Sequence, residues 1–146
     1  MARDDRLERI LALVRERGGR VTVPRRAIVA ALLEADHHVT AEDLAEAVQR
    51  QYPEIHQSTV YRTLETLTSL GVVDHAHFDH GPAVYHFTDQ PHNHLVCKRC
   101  GRVVELPADV LAGIRAKVAR EYDFDLDPTH FALAGYCLTC RSSVDD

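Results

Sequence analysis

The sequence predicts an α+β protein, with an N-terminal winged helix followed by a small C-terminal α/β domain built on a three-stranded sheet. Three observations carry this expectation. Four helical stripes come first, two short alternating runs follow, and two Cys-x-x-Cys pairs then bracket a strand, strand, helix, strand pattern. At 146 residues the chain is long enough for one good core or two small modules.

The first helix is read in DDRLERILALVRERG, where Leu7, Ile10, Leu11 and Val14 form one stripe and Gly18-Gly19 ends it. TVPRRAIVAALLEA opens on Thr22 as N-cap and carries Ile28, Val29, Leu32 and Leu33 at helical spacing. TAEDLAEAVQRQY opens on Thr40, with Glu42 and Asp43 in its first turn. HQSTVYRTLETLTSLG starts at Ser58 and Thr59, buries Val60, Leu64, Leu67 and Leu70, and stops at Gly71. VVDHAHF and AVYHFT, joined by DHGP, read as a hairpin, and helices followed by a small hairpin make a winged helix.

Near TDQPHN the pattern changes, because Pro91 interrupts any regular element and the cysteines begin. The boundary is placed at residues 88–92, giving a winged-helix DNA-binding domain over 1–88 and a second domain over 92–146. The second domain reads as strand HLVCK, strand RVVELP, helix ADVLAGIRAKVAREY and strand THFALAGYC. A module of that size needs completion by metal, by dimerisation, or by both.

Composition excludes some classes. The hydrophobic share of 45% and charged share of 27% fit a globular protein, and no apolar run is long enough to span a bilayer. The N-terminus MARDDRLERI lacks the apolar stretch of a secretion signal, which places the protein in the cytoplasm, where disulfides are disfavoured. The net charge of −5 argues against nucleic acid as a partner, yet residues 1–26 hold eight arginines against Asp4, Asp5, Glu8 and Glu16. A phosphate responds to that local positive potential.

Cys97, Cys100, Cys137 and Cys140 form two Cys-x-x-Cys knuckles separated by 36 residues. Two such knuckles supply four thiolates for a tetrahedral structural Zn²⁺, and because the unfolded chain has no site, metal binding becomes folding energy. The rival is a redox dithiol, which needs one pair near the start of a βαβ unit rather than two pairs at the two ends of a module. A thiol switch that releases zinc on oxidation is a further alternative.

Ten histidines accompany the cysteines. On a strand, residues i and i+2 share a face, so His75 with His77 and His92 with His94 each form a two-nitrogen chelate. Single histidines such as His37 and His56 read as solvated surface residues. An all-imidazole site suits Ni²⁺, Zn²⁺, Cu²⁺ or Co²⁺, whereas Mn²⁺ and Fe²⁺ sites usually include a carboxylate. A zinc hydrolase or deaminase would need H-E-x-x-H or H-x-E, and neither occurs, so the chain is not read as an enzyme.

RVTVPRRAIVAALL, HHVTAEDL, STVYRTLETLTSLGVV, HNHLVCKRCGRVVEL and the terminal CLTC together resemble the ferric uptake regulators over nearly the whole chain. The resemblance implies a homodimeric metal-dependent repressor of palindromic operator DNA, with an N-terminal winged helix and a C-terminal α/β dimerisation domain. Its implied DNA contacts fall on Arg20, Arg25, Ser58, Thr59, Tyr61 and Arg62, with Tyr61 against thymine edges, Arg62 on phosphates and Arg20 in the minor groove. Its implied sensor site at the hinge is His38, His86, His92 and His94. A histidine at position 86, where iron and peroxide sensors resemble one another in carrying a carboxylate, makes that site all nitrogen. The family's other site loses two ligands, because Pro91 cannot coordinate and Asn93 is a poor donor, which leaves Glu105 and His130. The stretch DHAHFDHG is similar to the nickel-responsive branch, which implies a wing site of His75, His77 and His130, completed by His80, Glu105 or water. The implied cofactors are a structural Zn²⁺ and a regulatory Ni²⁺, with Zn²⁺ or Fe²⁺ as alternatives.

Overall fold

The computed structural model describes residues 2–35, 38–77, 81–127 and 132–142. The chain forms two compact units, Met1–Asp89 and Gln90–Asp146.

In the first unit, α1 (Ala2–Glu16), α2 (Val23–Glu34), α3 (Ala41–Gln51) and α4 (Gln57–Ser69) follow the four apolar stripes. Caps set the starts of two of them. Thr22 accepts from the Arg25 amide at 3.3 Å and Thr40 from the Asp43 amide at 3.1 Å, each satisfying a donor that the first helical turn leaves open. α4 begins one residue earlier than Ser58, with His56 in the cap position and no side-chain cap bond. Its buried face is Val60, Thr63, Leu64 and Leu67, whereas Leu70 is only partly covered. Gly19 lets α1 and α4 approach closely, since a Cβ there would lie 2.7 Å from both Leu70 Cδ1 and Val14 Cγ1.

Three antiparallel strands complete this unit in the order β1 (Val39–Thr40), β3 (Ala83–Phe87) and β2 (Val73–His77). β2 and β3 are the expected hairpin. β1 has no counterpart in the sequence pattern, because two residues carry no period of their own; among the described residues it pairs with β3, Val39 opposite Tyr85 and Thr40 opposite Val84. One core gathers Ile10, Leu11 and Val14 of α1, four residues of α2, the inner faces of α3 and α4, and Phe87. Arg6 closes the end of the unit by donating to both carboxylate oxygens of Asp89, at 3.0 and 2.8 Å, with its guanidinium 5.6 Å from the centre of the Phe87 ring.

In the second unit, β4 (His92–Cys97) is central, with β5 (Val103–Pro107) antiparallel on one side and β6 (Ala132–Gly135) parallel on the other. The parallel pairing demands a crossover, supplied by a 3-10 turn, Ala108–Leu111, and α5 (Ala112–Tyr122). The sequence reading has one helix over that whole stretch. Leu111 breaks it, holding φ −97, ψ 6 with its side chain buried, so the α-helix restarts at Ala112. The last strand is also shorter than THFALAGYC, because Cys137 turns out of the ladder to cap α6 (Leu138–Arg141); residues 128–131 lie outside the described residues. Among the described residues the only buried apolar side chains here are Cys97 and Leu111.

Removing buried methylenes from the larger core should be costly, and removing a cap less so. Leu64→Ala is expected to lower stability by about 3 kcal/mol and Thr40→Ala by about 1 kcal/mol. Urea unfolding of the metal-loaded protein reads both, and an unshifted midpoint for Leu64→Ala would contradict this packing.

Candidate functional site

Cys97 ends β4, Cys100 sits in the turn to β5, Cys137 caps α6 and Cys140 lies within it. The Cys97 amide donates to Arg102 O at 2.9 Å and the Gly101 amide to Cys97 O at 2.9 Å, which folds the first knuckle. Gly101 holds φ 73, a left-handed conformation that favours glycine and turns the chain from Cys100 towards β5. In the second knuckle the Arg141 amide donates to Cys137 O at 2.8 Å. All four Sγ atoms lie within 4.8 Å of one another, and Cys100 Sγ is 3.8 Å from Cys137 Sγ. A tetrahedron of thiolates about 2.3 Å from Zn²⁺ has an edge of about 3.8 Å, so donor type and spacing both fit.

The thiols respond to this crowding in opposite directions. Cys97 is held down to about 6, chiefly by the Cys100 backbone amide and then by the Cys137 amide, which donates to its sulphur at 3.4 Å. Cys140 is pushed up to about 12, first by hydrogen bonding with the Cys137 thiol and then by burial. One thiolate forms readily and its neighbour resists, as expected where several sulphurs share a space suited to a cation.

The histidines form pairs within each unit. In the first, His38 precedes β1 and His86 lies on β3, and the β1–β3 pairing brings their ring centroids to 5.3 Å. On β2, His75 and His77 have centroids 5.8 Å apart, and His75 also stacks near Tyr85 at 5.9 Å. His130, the expected third ligand of that pair, lies outside the described residues, as do His37 and His80.

In the second unit, His92 and His94 on β4 have centroids 4.7 Å apart, and His94 is 1% exposed. His92 Nδ1 lies 2.8 Å from Gln90 O. A carbonyl only accepts, so Nδ1 carries the hydrogen of this bond. Glu105 stands opposite His94 in the β4–β5 ladder, and its carboxylate lies 3.9 Å from His92 Nε2. An oxygen donor thus accompanies these imidazoles, which the all-nitrogen reading of the sensor site does not include. Counting outward from the turn closed by Cys97 and Arg102 pairs residue 94 with residue 105, a signal the sequence already held.

The expected DNA-contacting residues divide. Ser58, Tyr61 and Arg62 are exposed on α4, with Thr59 half-buried. Tyr61 is 38% exposed and accepts a hydrogen bond from Gln57 Nε2 at 2.9 Å. Arg20 is exposed, whereas Arg25 is half-buried and donates to Arg20 O. Arg25 therefore holds the loop that carries Arg20.

The sulphur cluster has a testable acid limit. The contribution of ionised Cys97 is complete above the ordinary thiol range and is lost as the pH falls through about 6, whereas that of neutral Cys140 persists until the pH rises through about 12. Purified protein is expected to carry one zinc per chain at this site at pH 7 and to release it in acid, as protons compete for the sulphurs; Cys137→Ser should release it at pH 7. Metal analysis after buffer exchange reads the loss, and a cysteine-site zinc retained by Cys137→Ser would contradict the assignment.

Comparison with known proteins places this geometry. The model of the ferric uptake regulator family matches residues 16–133. The ferric uptake regulation protein of Bacillus subtilis is 35% identical over 143 residues, covering 94% of this chain and 96% of that protein. The Vibrio cholerae ferric uptake regulator is 33% identical with a TM-score of 0.69, covering 85% of this chain and 96% of its own. The Pseudomonas aeruginosa ferric uptake regulator, solved with manganese, is 31% identical with a TM-score of 0.71, covering 86% and 95%. Proteins of this kind are metal-responsive transcription regulators and not enzymes, and no described helix here is long and apolar enough to cross a membrane. The chain belongs to the ferric uptake regulator family.

Proposed function

We propose that this protein is a metal-dependent transcriptional repressor that binds palindromic operator DNA as a cytoplasmic homodimer, with Ni²⁺ as its effector. The observation that carries the reading is the set of imidazole pairs, each held within its own unit, His38 with His86 by strand pairing and the other two by the alternation of a single strand. Residues 1–88 act as the winged-helix reader, with α4 entering the major groove, and residues 92–146 as the dimerisation and metal-binding part. His38, His86, His92 and His94 are assigned to the sensor ion, His75, His77 and His130 to a second ion on the wing, and the four cysteines to structural Zn²⁺. When bound, the sensor ion supplies a cross-link between donors of the two units.

The residues do the rest. His92 offers Nε2 because Gln90 O holds its Nδ1 hydrogen, and His94 is fixed by burial on the same strand. Tyr61 and Arg62 project from the exposed side of α4, whose other side is locked in the core by Val60, Leu64 and Leu67. Leu95 and Leu133, paired across β4 and β6, and Ile114 on α5 remain exposed, an apolar surface that a second copy of the chain would cover.

A second reading, an iron-responsive regulator, is favoured by Glu105, because a carboxylate beside His92 suits a harder ion than imidazoles alone. Zinc accepts the same donors and is a third candidate for the effector. Fluorescence anisotropy with a duplex selected from a random library separates them, using Ni²⁺, Zn²⁺, Fe²⁺ or chelator. The effector should tighten binding at least about tenfold, about 1.4 kcal/mol. His94→Ala should abolish that gain while leaving the cysteine-bound zinc in place. Equal affinity in all four conditions would overturn the repressor reading.

A further inference from the structure

We infer that Gln57 is a specificity-determining residue of α4, reading adenine as one unit with Tyr61; this rests on the reading of α4 as the DNA-contacting helix. Gln57 is the first residue of α4, on the exposed surface and one turn from Tyr61. Residues at the N-terminal end of a recognition helix are those that reach base edges. The expected contacts, Ser58, Thr59, Tyr61 and Arg62, begin one residue later.

The hydrogen bond from Gln57 Nε2 to Tyr61 Oη, at 2.9 Å, decides what each group still offers. A primary amide has two N–H groups and one carbonyl, so one bond to Tyr61 leaves one N–H and Oε1. That donor beside that acceptor complements adenine in the major groove, whose N7 accepts and whose N6 amino group donates. Tyr61, accepting from Gln57, keeps its own O–H to donate and its ring to meet a thymine methyl. The bond also limits rotation of the Gln57 side chain before DNA arrives, which lowers the ordering cost of binding.

An i, i+4 pair also steadies a helix, and a purely structural pair would move the melting temperature while leaving base preference unchanged. The test therefore reads preference. Full-length protein, loaded with the effector metal, selects duplexes from a random-sequence library as wild type, Gln57→Leu and Tyr61→Phe. Wild type should enrich one adenine in each half-site, and Gln57→Leu should enrich the same site with that position degenerate, losing about tenfold of discrimination. Tyr61→Phe should weaken preference at that same position. A DNA-side change avoids dependence on variant folding: replacing the selected adenine with 7-deazaadenine, which lacks the N7 acceptor, should weaken wild-type binding several-fold. Gln57→Leu selecting the same adenine at unchanged frequency, or 7-deazaadenine binding wild type as tightly as adenine does, overturns the inference alone. A wild type that enriches no sequence overturns the repressor reading along with it.

Discussion

The convergence of Cys97, Cys100, Cys137 and Cys140 within 4.8 Å ties the end of β4 to the start of α6, just beyond the ladder in which Cys97 pairs with Gly135. The first unit closes on an apolar core drawn from all four helices and the sheet, whereas the described part of the second buries only Cys97 and Leu111 among its apolar side chains. A unit with so little core depends on a cross-link of another kind. The elevated Cys140 thiol, raised first by its bond to the Cys137 thiol, shows that the sulphurs are close enough to govern one another's charge. Four such donors held together without a cation would be in electrostatic conflict, which a dication resolves.

The same strand carries both kinds of site. Cys97 lies three residues beyond His94 on β4, so the anchoring that fixes the strand's end also fixes the direction in which the imidazoles project. Burial of His94 and the Gln90 bond to His92 then leave few orientations for either ring. In the first unit the constraint comes from pairing: β1 and His38 are held against β3 and His86 by only two register positions. Each half of the proposed sensor is thus set by its own unit.

What the sequence disclosed was whatever has a local cause. The cysteine knuckles declared themselves by spacing, the helices by apolar period and by threonine caps, and the paired histidines by the two-residue alternation of strands. What it concealed depended on register. β1 has no pattern of its own, Glu105 meets His92 only because the knuckle turn sets the β4–β5 ladder, and α6 exists because Cys137 leaves the strand to bring Cys140 round. The bond from the Arg25 guanidinium to Arg20 O, five residues back along the chain, is not visible in a linear reading. The bond from Gln57 to Tyr61 likewise depends on the helix starting one residue before Ser58.

The arrangement of charge explains how an acidic chain could read DNA under the control of a metal. Of the eight arginines in residues 1–26, Arg6 binds Asp89, Arg26 binds Glu8, Arg25 binds Arg20 O and Arg17 binds Leu70 O. Half of the local positive charge is therefore committed to holding the first unit together. Non-specific attraction to phosphate scales with the number of cations delivered to the backbone, and four of these eight already bind groups of the first unit. A regulator with a strong non-specific term would stay on DNA in every state, and an ion that changed only the posture of its reading helices would regulate little. With a weak one, the proposed repressor would depend on both helices of a dimer meeting their grooves together, so that posture would decide occupancy.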